Sequence, residues 1–458
     1  VHPLTMRSVI LAAAVSIAFN MQAQTFMRAY TQPGGTFASP QAYIYGTGVL
    51  VFDDGYLITT ADGNCIRTDT DGMVTSSVDL RNADGSDDQI HQIIDVEPYG
   101  EDILVLARKA ADTIAVMRIG SNAEVLWQRA TVFPGSGVHE GILPLPDGSC
   151  VLHHNRDQGL SDRPVLSKLA ADGTIVWQKT YRNAASTSGS LSFRSASPLA
   201  DGGILVTGAF NPITPLRPVA AKLAADGTPI WVRQIAPQNN GNEFALAAVE
   251  LMNGDIRVAV ADPQPGVRLA TVDLSSTGML LGARAYSGLP STPYTIRFLT
   301  NGELTGTCVN NGTAFRIDAD GDPVFSITYA GLPGSYMAGQ DYMATPDGGN
   351  LFLGNYTFSV FADLTPVLFK SGPSGQLPEP FSAPSSLALL SYDPAVSTVA
   401  LADSVVSNIH TTTWQFAETP MLADTLFGLP TVVRELPFSQ EAPTLWPNPA
   451  TDHIMVDH

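Results

Sequence analysis

The chain has 458 residues, 44% of them hydrophobic and 15% charged, with 24 basic side chains against 43 acidic ones and a net charge of −19. That balance excludes nucleic acid and anionic lipid as partners, since both need a basic face. The 40 glycines and 33 prolines suit many short strands joined by turns.

At the N-terminus, Met6 and Arg7 precede an apolar run from Val9 to Phe19. An apolar run of 11 residues suits the h-region of an export signal and is too short to span a bilayer. The expectation is a signal peptide over 6–23, cleaved after Ala23 to leave Gln24 first. No other run approaches 18 apolar residues, so no membrane span is expected.

From there two series of turn dipeptides recur. The first is Asp54-Gly55, Tyr99-Gly100, Asp147-Gly148, Asp201-Gly202, Asn253-Gly254, Asn301-Gly302 and Asp347-Gly348, at intervals of 45 to 54 residues. The second is Asp71-Gly72, Asp172-Gly173, Asp226-Gly227, Thr277-Gly278, Asp320-Gly321 and Ser374-Gly375, with Asn122-Ala123 in the place of a missing member. Apolar, alternating flanks make each dipeptide a tight hairpin turn, expected to hold two residues at positive φ. An aromatic lies four residues after the second turn in Trp127, Trp177, Trp231 and Phe325. An apolar residue lies eight after it in Leu80, Tyr181, Ile235, Tyr286 and Tyr329. Even spacing puts both on one strand face, the one that packs on the neighbouring unit.

Two hairpins per repeat make four strands in about 50 residues, seven times over. The expected fold is all-β: a seven-bladed propeller over 24–381, its repeats running from about Tyr45 to Phe381. A Pro-, Gly- and Ser-rich stretch from Ser371 to Ser386 ends the pattern. The β-branched segment 382–440 is read as extra strands that either cover the propeller or form a small linker domain.

The tail, Ala442 to Val456, reads APTLWPNPATDHIMV. Trp446, Pro447, Asn448, Pro449 and Asp452, followed by Ile454 and Val456, resemble the opening of the C-terminal sorting domain of cargo of the bacterial type IX secretion system. The resemblance implies a truncated β-sandwich sorting domain over 441–458 and the type IX machinery as partner. It also implies passage through the periplasm to the medium or the outer cell surface. AQTFMRAY, before DDGYLITTAD, looks like the start of the propellers such cargo carries.

No residue is singled out as catalytic, cofactor-binding or metal-ligating. Asp318, Asp320 and Asp322, like Asp69 and Asp71, alternate as calcium ligands do, but lack the EF-hand glycine and glutamate positions and occupy hairpin turns. His153, His154, His139, Glu140 and Ser136 offer nucleophile and base types without an elbow around the serine. Cys65, Cys150 and Cys308 read as buried hydrophobes, with one disulfide left open. Sialidase boxes are not matched, because Asp and Gly are adjacent here. The Gly173-Trp177 and Gly227-Trp231 spacing is similar to quinoprotein dehydrogenase repeats in architecture only. The expected function is a binding or scaffold module for a glycan or protein ligand; the alternative is an exported hydrolase or quinone-dependent oxidoreductase. Carboxylates gathered at one channel mouth would favour the enzyme; small apolar lining would oppose it.

Overall fold

In the computed structural model the described residues are 25–31, 46–61, 63–80, 92–110, 113–120, 125–132, 138–156, 163–183, 190–211, 216–236, 244–261, 267–299, 301–308, 312–329, 336–357 and 365–377, with short strands inside 382–428 and 444–457. The expected export signal and Asn122-Ala123 lie outside them.

The turns fix the strands. In the third repeat Leu145 N–H donates to the Ser149 carbonyl and Gly148 N–H to the Leu145 carbonyl, at 2.8 and 3.0 Å. That encloses three residues, not the two expected, and Gly148 sits last at φ 75°. A three-residue loop needs the left-handed region at its final position, which is why the glycine recurs. The aspartate before it has its own task. Asp147 Oδ1 accepts the Ser149 N–H two residues on at 2.9 Å, and Asp172, Asp201 and Asp226 do the same. These bonds to Ser149 hold the Asp147 carboxyl down to about 2.

Six blades are four-stranded antiparallel meanders in chain order. Blade 1 is Gly46–Phe52, Gly55–Thr60, Asn64–Thr68 and Val74–Asp79; blade 2 is Gln92–Tyr99, Asp102–Ala110, Thr113–Ile119 and Val125–Val132. Blade 3 is Val138–Pro144, Cys150–Arg156, Arg163–Leu169 and Ile175–Asn183; blade 4 is Ser190–Pro198, Ile204–Asn211, Arg217–Leu223 and Pro229–Ala236. Blade 5 is Phe244–Glu250, Ile256–Ala261, Leu269–Leu274 and Leu280–Ser287; blade 6 is Pro293–Phe298, Leu304–Cys308, Thr313–Ile317 and Pro323–Tyr329. Blade 7 takes Tyr336–Ala344, Asn350–Thr357 and Thr365–Ser371 from the end of the repeat region and its fourth strand, Phe26–Thr31, from the beginning. Phe26 pairs with Lys370 and Ala29 with Val367. The first strand of each blade touches that of the next around a complete ring.

The core lies between blade faces. Tyr181, Leu191, Phe193 and Phe210 bury together between blades 3 and 4, and Tyr329 packs 4.8 Å from Phe352 and 5.4 Å from Phe369 between blades 6 and 7. The aromatic at plus four hydrogen-bonds across to the next blade: Trp127 Nε1 to the Ala171 carbonyl, Trp177 to Ala225 and Trp231 to Ser276, at 2.8, 3.1 and 2.9 Å. The tyrosine at plus eight latches onto the next blade's turn glycine. Tyr181 donates to the Gly227 carbonyl at 2.8 Å, Tyr286 to Gly321 at 3.0 Å and Tyr329 to Gly375 at 2.8 Å. Tyr30, in the N-terminal strand, donates to the Gly72 carbonyl at 2.9 Å, so the closing strand obeys the same rule.

Gly227 stands at the crowded end of such a latch, at φ 79°, where a Cβ would meet Tyr181 Oη at 2.8 Å and Trp177 at 2.9 Å. Gly227→Ala is therefore expected to cost about 2 kcal/mol, from left-handed strain plus displacement of both rings. Chemical denaturation would measure it, with Gly254→Ala, where a Cβ meets nothing, as the control for strain alone.

Beyond blade 7, segment 382–428 adds a fifth, outermost strand to every blade. Ser382–Pro384 lies on blade 6, Ala388–Ser391 on blade 5, Ala395–Thr398 on blade 4, Leu401–Val405 on blade 3, Ile409–His410 on blade 2 and Ala417–Glu418 on blade 1. Leu422–Gly428 then pairs with the N-terminal strand of blade 7. Residues 428–458 form a separate compact unit, in which Thr444–Pro447 and Ile454–Asp457 make an antiparallel hairpin with Trp446 opposite Met455.

Candidate functional site: the central channel

The seven innermost strands surround a channel of about 680 Å³. Each carries a β-bulge at the same place, one or two residues before the position that turns onto the channel wall. That wall position holds Gly48, Asp95, Gly141, Ser195, Ala247, Thr295 and Asp341 in blades 1 to 7. Structural equivalence thus places two carboxylates, on blades 2 and 7, either side of a glycine on blade 1.

Each carboxylate clips two blades together. Asp341 Oδ2 accepts the Val49 N–H of blade 1 at 3.0 Å, and Asp95 Oδ2 the Ile142 N–H of blade 3 at 2.9 Å. Their Oδ1 atoms take the N–H of the following residue, Tyr342 and Val96, at 2.8 and 2.9 Å. An innermost strand has a free edge, and these aspartates cap one N–H on it. The receiving blades carry glycine beside the capped group. A Cβ on Gly141 would press on the His153 imidazole and lie 3.2 Å from Asp95 Oδ2, so His153 and Asp95 face one another across the missing side chain.

Arg297, from blade 6, spans the opening. Its Nε donates to Asp341 Oδ1 at 3.2 Å on the adjacent blade, and its NH1 nitrogen to Glu97 Oε1 at 3.1 Å on blade 2, nearly opposite in the ring. Asp341 is 3% exposed, whereas Glu97 and Arg297 keep 22% and 25% of their side chains open to solvent. Three carboxylates thus share one guanidinium. Burial pushes Asp95 above the ordinary carboxylate range, and burial pushes Glu97 up to about 7 against the opposing pull of Arg297. Asp341 holds Arg297 firmly protonated. On blades 4 and 5 the lining combines the charged Arg194 and Glu250 with small residues such as Ser195, Ser197, Ala247 and Ala248. The lining therefore carries charged groups from blades 2, 4, 5, 6 and 7 together with small side chains, and neither feature stands alone.

A carboxyl whose folded pKa lies above its unfolded value binds the extra proton in the folded state. Its neutral form is the compatible one, so stability falls as pH rises from about 4.5 to about 7. Glu97→Gln fixes that neutral form. Its melting temperature is expected to match the parent near pH 4.5 and exceed it by a few degrees at pH 8; thermal denaturation at the two pH values is the check.

The other candidates fall elsewhere. His154 is buried in strand Cys150–Arg156 next to His153; His139 and Glu140 lie on the innermost strand of blade 3; Ser136 is outside the described residues. Asp318 and Asp69 each spend Oδ1 on turn N–H groups, of Asp322 at 2.8 Å and Met73 at 2.9 Å. Among the described residues no group of three His, Cys, Asp or Glu is placed to hold a metal ion, and no helix is long and apolar enough to cross a membrane. Cys65, Cys150 and Cys308 are buried and form no disulfide, with burial pushing Cys150 up to about 12 and Cys308 to about 11. Of the sorting motif, Trp446 and Pro447 end the first strand of the small hairpin; Asn448, Pro449 and Asp452 lie outside the described residues.

The class this architecture defines is the seven-bladed β-propeller. No protein-family model matches the chain, and no curated protein matches it either. Among solved structures it is similar to a streptogramin B lyase, at 14% identity over 75% of this chain and 97% of that one with a TM-score of 0.48. It is also similar to the virginiamycin B lyase of Staphylococcus aureus, at 12% over 72% and 96% with a TM-score of 0.47. BamB of Moraxella catarrhalis is at 11% over 71% and 99%, with a TM-score of 0.37. Identities this low speak of fold alone, and the fold already stands on the chain's own strand pairings.

Proposed function

We propose that the protein is an exported β-propeller that binds a ligand in its central channel, acting as a binding or scaffold module at the outer cell surface. The observation that carries the binding reading is the Arg297–Glu97 ion pair stretched across a channel of about 680 Å³. Ligand pockets commonly measure roughly 300–1,000 Å³ and fix their occupant with a few convergent polar groups. Both partners stay partly open to solvent, so a hydroxyl-rich glycan or an extended peptide could insert against them. Titration calorimetry of glycan and peptide panels against the parent and Glu97→Gln is the test. Binding that weakens at least about tenfold in the variant supports the channel; undiminished binding places the ligand elsewhere.

A second reading rests on Glu97 itself. A carboxyl near 7 beside a fixed guanidinium suits general acid–base work in a hydrolase or lyase. Turnover of a bound glycan that falls in Glu97→Gln far more than its binding weakens would favour it.

The export half of the proposal rests on the 6–23 leader and on Trp446, Pro447, Asn448, Pro449 and Asp452, which resemble the type IX sorting signal. Mass spectrometry of both termini in periplasm, outer membrane and medium tests it. A product starting at Gln24 outside the cell supports export, and one confined to the periplasm and ending at His458 overturns the surface role.

A further inference from the structure

The outermost strands repeat among themselves. Tyr329, Tyr286, Ile235 and Tyr181, the plus-eight residues of blades 6, 5, 4 and 3, pair with Ser382, Leu389, Val396 and Asp403. Those partners follow one another at intervals of seven residues. Ile409 on blade 2 and Ala417 on blade 1 continue at six and eight. Seven extended residues reach at most about 23 Å, which bounds each step from one blade edge to the next. The direction is opposite to chain order, and the last strand, Leu422–Gly428, lands on the N-terminal strand of blade 7. Strand Phe26–Thr31 is thereby held on both sides, by Thr365–Ser371 and by Leu422–Gly428.

We infer that residues 382–428 are a circumferential clasp that keeps the propeller ring shut. The one discontinuity in the ring is at blade 7, where the fourth strand is not covalently continuous with the third. A clasp anchored on six blades and ending on that strand resists its departure. Because one continuous segment makes all these pairings, losing them on one blade weakens the hold on its neighbours. The clasp also covers part of the edge of each fourth strand, the place where open sheets otherwise pair with other chains.

Hydrogen exchange on the full chain tests this. In the unaltered protein the amides of 395–405 and of Phe26–Thr31 are expected to be protected. Val396→Pro with Asp403→Pro, on blades 4 and 3, removes pairing far from the closing strand. Exchange is expected to accelerate about tenfold or more both in 395–405 and in Phe26–Thr31, while Ser190–Pro198 on the innermost strand of blade 4 is unchanged. Two results would overturn the clasp: free-chain exchange of 395–405 in the unaltered protein, or acceleration there that leaves Phe26–Thr31 untouched. Because the first is read on the unaltered protein, the inference stays testable even where the variant does not fold.

Discussion

Arg297→Met is expected to destabilise the propeller by about 3–5 kcal/mol at pH 8 and by much less at pH 5. Methionine keeps most of the apolar stem, so the loss isolates the charge. Without the guanidinium, Asp341, Glu97 and Asp95 lose the cation they share, and Asp341 is nearly fully buried. Leaving a buried charge uncompensated is among the few single changes that cost this much. Protons can replace the arginine. Asp95 and Glu97 already sit above the ordinary carboxylate range through burial, so acid neutralises them first. Urea denaturation at the two pH values reads the difference. An equal loss at both would mean that Arg297 serves the channel by packing, and that the charges are screened.

The second large effect concerns ring closure. Tyr30→Ala is expected to cost about 3–5 kcal/mol, as for other large-to-alanine changes in cores. Tyr30→Phe should cost about 1 kcal/mol, the usual net worth of one hydrogen bond. Tyr30 is fully buried with Phe26, Tyr56 and Leu368, and its hydroxyl holds Gly72 of blade 1. Among the described residues it is the tyrosine latch that joins blade 7 to blade 1, the two ends of the repeat array. Denaturation supplies the magnitude, and limited proteolysis supplies the location: cleavage confined to blade 7 and its neighbours would accompany a ring that opens there. Cuts spread evenly over all blades would show that the ring fails as one unit instead.

The repeat was legible because its signals are local. Glycine is needed where a loop ends at positive φ, aspartate where a carboxylate must reach an N–H two residues on, and tyrosine where a hydroxyl must reach the next blade. Each leaves a mark at fixed spacing. The closing strand left one too: Phe26 and Tyr30 have the same separation of four as Trp177 and Tyr181 or Phe325 and Tyr329. It is easily passed over, because no turn glycine precedes it and it abuts the leader. The clasp is harder to see. Its strands are two to seven residues long, make no hairpins of their own and so need no turn residues; Ala388, Ala395 and Ala402 are the faint trace of its period. The channel site was not legible at all. Asp95 and Glu97 in QIIDVEPY, Arg297 in YTIRF and Asp341 in GQDYM each read as one polar residue in a strand. They come together only when blades 2, 6 and 7 surround one axis, and no local spacing encodes that meeting.

The pairing of Phe26 with Lys370 also sets a clock. The strand that completes the ring is synthesised ahead of all seven blades and is needed after the last of them. At about 5–20 residues per second, translation alone separates the two partners by roughly 20–70 s. Throughout that interval Met27, whose core partners lie in blades 6 and 7, has nowhere native to go, and Phe26 and Tyr30 find only their blade 1 partners such as Tyr56 and Ile58. Assembly of this protein is thus a problem of keeping an apolar leading segment out of early, mistaken pairings, and the delay grows with every blade added to such a ring.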